Sequence, residues 1–397
     1  QEVVPPKGQD LVLAPAQVRY CLAQGIRLGS AAEQALTSWA RRSRFAGSKD
    51  RAAIRDHVFD ALRCKLSFAA WGGAMTGRGL MLGQIRAEGG DPDLVFTGEG
   101  YGAAALTPEE RAAGTAPGTD AERLDLPDWL LPQFRASLGE ETEAVAKALT
   151  ERAPVMLRVN LRAGSVEEAM SSLAGDGITT IPHKLATTAL LVTDGPRRIR
   201  SSSAFESGLV EFQDCASQAV VEALSLSNGQ VVLDYCAGGG GKTLAIAAKS
   251  DVSLFAHDKT EARMRDLPMR AQRANAQVRM LQTDELKRHG PYDLVLCDVP
   301  CSGSGAWRRS PDAKWRLTEE KLHELNMIQD EVLVNVADLV APSGVLAYAT
   351  CSVLDIENKD RISSFLRRNP GWKCSYERSF LLAEGGDGFY TAHLTRV

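Results

Sequence analysis

The sequence contains no apolar run close to the ~18 residues that a membrane-spanning helix needs, so a membrane protein is not expected. Its eight cysteines are scattered, none forms a Cys-x-x-Cys pair, and the six histidines stand apart from them. This spacing argues against a bound structural metal and is typical of reduced thiols in the cytoplasm. The first ten residues carry two prolines and mixed charges, so no secretory signal is predicted.

The chain also lacks an excess of positive charge. It has 46 Lys and Arg against 50 Asp and Glu, a formal net charge of −4. A nucleic-acid partner would therefore have to bind local basic clusters rather than the protein as a whole. With 397 residues, 44% of them hydrophobic and 24% charged, the chain has the composition of a globular protein of two or three domains, and we expect a monomer.

The N-terminal third is rich in Ala and Leu and poor in Pro, which predicts helices between Leu11 and Lys65. One helix is expected to start at Ser48, and Leu126 to Thr150 is again helical. Basic side chains outnumber acidic ones around this helix start, either as a solvated face or as a nucleic-acid contact. We assign residues 1–150 to an all-helical domain.

A small α/β module follows, over residues 151–210. Val155–Leu161 and Leu185–Val192 have strand patterns, and Ser165–Leu173 has a helix pattern in which Ser165 and Glu168 suit a capping box. The module ends in a basic stretch that contains Arg197, Arg198 and Arg200.

Residues 211–397 alternate apolar strands with helices, which predicts a parallel sheet covered by helices on both faces. The expected strands are Val231–Tyr235, Ser253–Ala256, Val278–Leu281, Leu294–Cys297 and Val345–Tyr348. In such sheets ligands bind beyond the carboxyl ends of the strands. The residues that follow each strand are therefore the candidate site.

The first of these strands runs into Asp-Tyr-Cys-Ala-Gly-Gly-Gly-Gly-Lys-Thr, residues 234–243. A phosphate-binding loop would need glycine at Cys236, and a dinucleotide fingerprint would need glycine at Thr243, so both patterns fail. A glycine loop that lacks a phosphate-binding pattern suits a ligand that has no phosphate, such as S-adenosylmethionine. We therefore expect this cofactor to contact Cys236, Ala237, Gly238, Gly239, Gly240, Gly241 and Lys242.

Two acidic residues follow the next strands at positions that suit the same ligand. In nucleotide-binding folds of this type, an acidic residue that follows the glycine loop binds the ribose hydroxyls, and Asp258 stands at a similar distance along the chain. Asp284 follows the third strand, where it is predicted to bind the exocyclic amine of adenine.

Two cysteines follow the last two predicted strands, Cys301 in Asp298-Val-Pro-Cys and Cys351 in Ala349-Thr-Cys-Ser. With these stretches the chain resembles the Sun (Nop/Sun) family of RNA (cytosine-5) methyltransferases. The resemblance extends to Gln213–Gln218, Arg308–Asp312 and Glu384–Phe389, and more weakly to Ser48–Arg63, which resembles a NusB-like RNA-binding domain.

The resemblance implies a Rossmann-like class I methyltransferase domain, preceded by the small α/β module and the NusB-like domain. It implies that Cys351 adds to C6 of a cytosine, that Asp298 binds the N3 edge of the base close to the cofactor, and that Cys301 assists product release. The implied partner is RNA, with small-subunit ribosomal RNA favoured by the NusB-like half.

Three other functions remain open. A DNA methyltransferase would use the cysteine of the Pro-Cys motif as nucleophile, which would make Cys351 unnecessary. A tRNA methyltransferase would share every catalytic residue. A non-catalytic ribosome assembly factor would be expected to lack one of Asp298, Cys301 or Cys351.

The loop after Cys301 has two interpretations. It is either a charged surface loop with one packed tryptophan or a contact for the nucleotides that flank the target base. The residues concerned are Arg308, Arg309, Lys314 and Trp315.

Overall fold

The computed structural model describes residues 32–42, 47–99 and 103–397. The chain forms two compact units. The first comprises residues up to 135 together with 140–152 and 307–318, and the second comprises 136–139, 153–306 and 319–397. The helices expected between Leu11 and residue 31 lie outside the described residues. No helix in the described ranges is both long and apolar enough to cross a membrane.

The first unit is helical in its described part. Its helices are Ala32–Arg42, Ser48–Arg63, Lys65–Gly72, Gly77–Ala87, Pro108–Ala112, Asp120–Leu124, Leu131–Leu138, Thr142–Thr150 and Pro311–Arg316. The helix predicted to start at Ser48 does so, and Ile54, Val58 and Leu62 form one buried face at helical spacing. Arg51 and Arg55 of this helix are exposed, as a solvated face and a nucleic-acid contact both require.

Residues 307–318 fold into this helical unit and cap the carboxyl end of helix Ser48–Arg63. Lys314 Nζ donates to the carbonyl oxygen of Arg63 at 3.0 Å, and Trp315 Nε1 donates to that of Leu62 at 2.6 Å. Arg63 Nε in turn donates to the carbonyl oxygen of Arg308 at 2.9 Å.

A solvent-exposed charged loop and a contact for flanking nucleotides are therefore both wrong predictions for Arg308 and Lys314. Lys314 is 1% exposed and Arg308 is 6% exposed, so neither is a free surface charge or an open nucleotide contact. A lysine stem packs well against apolar groups when its ammonium reaches a carbonyl oxygen, as it does here. Of the four side chains, those of Arg308 and Lys314 are buried, that of Trp315 is partly buried, and that of Arg309 is exposed.

The second unit opens with a four-stranded antiparallel sheet. Its strands are β1 (Met156–Val159), β2 (Thr179–Pro182), β3 (Ala189–Asp194) and β4 (Val210–Phe212), in the order β2-β3-β1-β4. Helix Val166–Gly175 packs beside it, and the predicted capping box between Ser165 and Glu168 is present. β2 and β4 were not predicted, because each is short and lies beside turn residues.

The large sheet of the second unit has seven strands. They are β5 (Val231–Asp234), β6 (Ser253–Ala256), β7 (Arg279–Met280), β8 (Tyr292–Asp298), β9 (Val340–Thr350), β10 (Trp372–Phe380) and β11 (Phe389–Arg396). The order is β10-β11-β9-β8-β5-β6-β7. β5 to β9 are the five predicted strands and are parallel, as predicted. β10 and β11 were not predicted, and β11 pairs antiparallel with both β9 and β10, which makes the sheet mixed.

The remaining helices of this unit are Ser203–Glu206, Cys215–Glu222, Gly241–Lys249, Leu267–Arg273, Leu286–His289, Glu319–Ala337 and Lys359–Arg368. β5 lies between β6 and β8, so the strand order reverses at its carboxyl end. An open sheet forms its ligand crevice at such a reversal. The fold thus locates the candidate site where β5 meets the glycine loop.

Candidate active site at the carboxyl ends of the central strands

The glycine loop after β5 has a shape that only glycine permits. Gly238 and Gly240 have φ of +50° and +81°, in the left-handed region that disfavours a side chain. A Cβ on Gly240 would lie 2.3 Å from Cδ1 of Leu267. Helix Gly241–Lys249 begins directly after the loop, so its first N–H groups face the crevice.

Asp234 ends β5 and is buried, with 1% of its surface exposed. Its Oδ2 accepts a hydrogen bond from Thr243 Oγ1 at 2.7 Å, whereas Oδ1 has no partner among the described residues. Burial raises the pKa of Asp234 to about 7, although the Thr243 bond acts in the opposite direction. A buried carboxylate with one unsatisfied oxygen at a ligand crevice suits a cationic or N–H-bearing ligand.

Asp258, which the sequence predicts to bind ribose hydroxyls, contacts the glycine loop. Its Oδ2 accepts from the backbone N–H of Gly238 at 3.0 Å and from Arg263 at 3.1 Å, and its Oδ1 accepts from Thr260 N at 2.9 Å. Asp284 lies on the exposed turn Thr283–Glu285. The preceding Thr283 is hydrogen-bonded to Nε2 of His257, the neighbour of Asp258, at 2.9 Å.

Lys242 and Asp298 form a close ion pair, with Lys242 Nζ 2.7 Å from Asp298 Oδ2. Burial is the largest single influence and lowers the pKa of the Lys242 ammonium, but the charge of Asp298, the hydrogen bond to it and the charges of Cys351 and Asp234 together outweigh burial, so that pKa lies above its ordinary value. The same ammonium stands 4.9 Å from the ring centroid of Phe389. Sequence reasoning expected Lys242 at the cofactor and missed its pairing with Asp298, because 56 residues separate the two.

The two predicted cysteines lie together. β8 and β9 are adjacent and parallel, so the loops after them bring Cys301 Sγ within 3.4 Å of Cys351 Sγ. The hydrogen bond between the thiols raises the pKa of Cys301 well above its ordinary value, and burial acts in the same direction. Cys301 therefore holds its proton more firmly than an ordinary thiol does.

The Glu384–Phe389 stretch packs against the Cys301 loop. Gly305 N donates to the carbonyl oxygen of Cys351, and Gly388 N donates to that of Gly305, both at 2.9 Å. A Cβ on Gly305 would lie 2.0 Å from the carbonyl oxygen of Gly388, so this close approach requires glycine.

A buried carboxylate that sequence reasoning missed lies beneath both cysteine loops. Glu357 is fully buried and accepts hydrogen bonds from the serine that follows each cysteine. No pattern in the sequence distinguishes this glutamate from a surface residue of the turn in which it stands. In the described part of the chain, no group of three or more His, Cys, Asp or Glu side chains is arranged to hold a metal.

The strand order, the glycine loop at its reversal and the adjacent thiols define a Rossmann-like methyltransferase. Residues 221–394 match the family described as 16S rRNA methyltransferase RsmB/F, and residues 126–197 match the ferredoxin-like domain of RsmF/B-like methyltransferases. The chain belongs to the RsmB/F family, and it is an RNA methyltransferase of that family.

Curated relatives agree with this assignment, and a solved structure shares the fold. Ribosomal RNA small subunit methyltransferase B of Cronobacter sakazakii is 35% identical over 70% of this chain and 68% of its own length. The protein of the same name from Vibrio cholerae is 32% identical over 70% and 67%. The chain thus spans about two thirds of the length of these relatives. The crystal structure of PH0851 shares the fold, with a TM-score of 0.73 at 24% identity, over 99% of both chains.

Proposed function

We propose that this enzyme transfers a methyl group from S-adenosylmethionine to C5 of a cytosine in small-subunit ribosomal RNA, through a covalent bond between Cys351 and C6. The observation that carries the proposal is the pair of thiols 3.4 Å apart at the ends of adjacent strands. C5 of cytosine is a poor nucleophile, and a thiolate that adds to C6 converts the ring into a reactive enamine.

The residues around the glycine loop fit the cofactor. S-adenosylmethionine supplies an electrophilic methyl group on a positively charged sulfur. The unsatisfied oxygen of Asp234 suits the positive charge, and the predicted contacts with Cys236 through Lys242 surround the same crevice. Asp258 would accept from the ribose hydroxyls, and Asp284 from the adenine amine.

Asp298 would bind the N3 edge of the target base and so make C6 more electrophilic. Lys242 keeps the Asp298 carboxylate in place and balances its charge. The base must be unpaired or flipped out of a helix for its C5 and C6 to reach these groups.

Cys301 would assist release by donating its S–H to the sulfur of Cys351. When the C5 proton passes to water, the electrons of the C5–H bond re-form the C5–C6 double bond, the bond between C6 and the sulfur breaks, and Cys351 leaves as a thiolate. A hydrogen bond from a neighbouring protonated thiol stabilises this leaving group, and the raised pKa of Cys301 keeps that proton available.

RNA is expected to contact the helical unit as well, which we propose to be NusB-like, and ribosomal RNA as substrate implies a cytoplasmic enzyme. The names of the relatives favour ribosomal RNA over the alternative substrate, tRNA. Mapping 5-methylcytosine in ribosomal RNA and tRNA, with and without the enzyme, distinguishes the two.

Two cysteine variants test the mechanism. Cys351→Ala removes the nucleophile and should give neither product nor an RNA adduct. Cys301→Ala can still attack and methylate but releases slowly, so it should accumulate an adduct that survives denaturing electrophoresis and requires S-adenosylmethionine.

The matched control is Cys374→Ala, which removes an exposed thiol on β10 and should behave like wild type. An adduct from Cys351→Ala, with none from Cys301→Ala, would reverse the roles of the two thiols. A protein that binds RNA without product or adduct would indicate a non-catalytic assembly factor.

A further inference from the structure

Glu357 is a buried carboxylate whose oxygens receive only uncharged donors in the described part of the chain. Its Oε1 accepts from the backbone N–H of Ser302 at 2.8 Å and from Gln329 Nε2 at 3.1 Å. Its Oε2 accepts from Ser302 Oγ at 2.5 Å and from Ser352 Oγ at a shorter distance. A carboxylate with four such donors is satisfied without a cation and holds its donors tightly.

Two of these donors directly follow the cysteines in the sequence: Ser302 follows Cys301, and Ser352 follows Cys351. One carboxylate oxygen therefore bridges the two loops that carry the thiols. Ser304 Oγ adds a second link, since it lies 2.9 Å from Ser352 Oγ and accepts from Val353 N at 3.0 Å. Gln329 Nε2 extends the network to the carbonyl oxygen of Pro300 at 2.9 Å.

We propose that Glu357 is a positioning residue for product release: by holding the serine after each cysteine, it keeps Cys301 Sγ within hydrogen-bond distance of Cys351 Sγ. Glu357 does not touch the reacting atoms and acts through the thiols. Hydrogen-bonded loops on two strands are held more closely than loops that only pack together, and small displacements of reacting groups slow a reaction strongly.

The charge of Glu357 supports the same role. The pKa of Cys301 is raised first by the bond with Cys351, then by burial, and also by the negative charges of Cys351 and Glu357. Together these influences preserve the proton of Cys301.

The role rests on the proposed function, so one measurement uses thiol geometry alone. Phenylarsine oxide bridges two close thiols, forming two As–S bonds and releasing one water. Wild type should bind it at the Cys301–Cys351 pair, and Cys301→Ala, which leaves a single thiol there, should bind it about 100-fold more weakly. Glu357→Ala should fall between them, about tenfold weaker than wild type.

Glu357→Gln and Ser352→Ala are milder changes that keep the test decisive if Glu357→Ala fails to fold. Glu357→Gln keeps the side-chain shape and one acceptor oxygen, so it should bind the arsenical better than Glu357→Ala. Ser352→Ala removes one link to the bridging oxygen and should weaken binding severalfold. The matched control is Tyr292→Phe, which loses one buried hydrogen bond at the opposite end of β8 and should match wild type.

The second measurement is turnover with RNA. Glu357→Ala should lower kcat about tenfold to 100-fold, leave KM for S-adenosylmethionine within about twofold, and accumulate part of the adduct seen with Cys301→Ala. Combining Glu357→Ala with Cys301→Ala should add no further adduct, because both changes act on the same thiol.

Arsenical binding by Glu357→Gln and Ser352→Ala equal to that of wild type would overturn the positioning role. If instead these variants bind weakly while Cys301→Ala forms no RNA adduct, the positioning of the thiols stands and the proposed release step is wrong.

Discussion

Asp234→Asn should make the protein more stable, by an amount that grows with pH. Burial raises the pKa of Asp234 to about 7, against an ordinary value of 3.8. The unfolded chain therefore releases this proton at lower pH than the folded chain does. The free energy of unfolding then falls as pH rises from about 4 to about 7, and the loss is complete above pH 7. A shift of about 3 pKa units corresponds to about 4 kcal/mol.

The asparagine variant carries no charge to bury, and its amide oxygen can still accept from Thr243 Oγ1. Its stability should equal that of wild type near pH 4 and exceed it by about 4 kcal/mol at pH 8. The assay is urea unfolding at several pH values, with hydrogen exchange of β5 as the readout. Tyr292→Phe is the control and should follow the pH profile of wild type. A stability difference between Asp234→Asn and wild type that is the same at pH 5 and pH 8 would refute the reasoning.

Two further predictions concern single side chains. Asp258→Ala should weaken S-adenosylmethionine binding by ~1.5–3 kcal/mol in calorimetric titration, because a charged acceptor at the glycine loop is lost; unchanged affinity would remove Asp258 from the site. In wild type, the free energy of unfolding of the helical unit should rise between pH 8 and pH 10.5, because burial lowers the pKa of Lys314 to about 8. Lys314→Met should abolish this rise. That rise should reach ~3 kcal/mol, and an equal rise in the variant would contradict the assignment.

The position of the site could be predicted because it depends on strand ends. Short apolar runs separated by helices indicate parallel strands, and parallel strands bring their carboxyl ends to one edge. Asp258, Asp298, Cys301 and Cys351 were all located by this rule, and the structure brings the two thiols together. Their catalytic roles stay predictions until the variants are measured.

The antiparallel hairpin of β10 and β11 could not be predicted in the same way. Of the nine residues in β10, only Trp372 and Phe380 at its two ends are buried, so the strand has no apolar run and no alternation. It is an edge strand, and its charged side chains face solvent as such strands usually require. β11 depends on pairing with β9, which is a long-range contact.

The loop after Cys301 was misjudged for a different reason. Charged residues in a loop are usually solvated, and nothing near Lys314 in the sequence indicates the helix end that it caps. Its partner, the carbonyl oxygen of Arg63, lies 251 residues away along the chain. Sequence patterns report local periodicity, whereas burial of a charge depends on which distant backbone groups remain unsatisfied.

Three of the carboxylates at the site, Asp234, Asp298 and Glu357, also show why residue type alone does not predict a role. Asp234 has one hydroxyl donor and an oxygen without a partner among the described residues, Asp298 has an ammonium at 2.7 Å, and Glu357 has four uncharged donors. Environments that differ in this way give one functional group different tasks. In our proposal, Asp234 meets the positive charge of a ligand, Asp298 binds the target base, and Glu357 holds the two cysteine loops. The sequence shows only that these three residues are acidic, whereas the hydrogen-bond and ion-pair partners of each carboxylate indicate what it does.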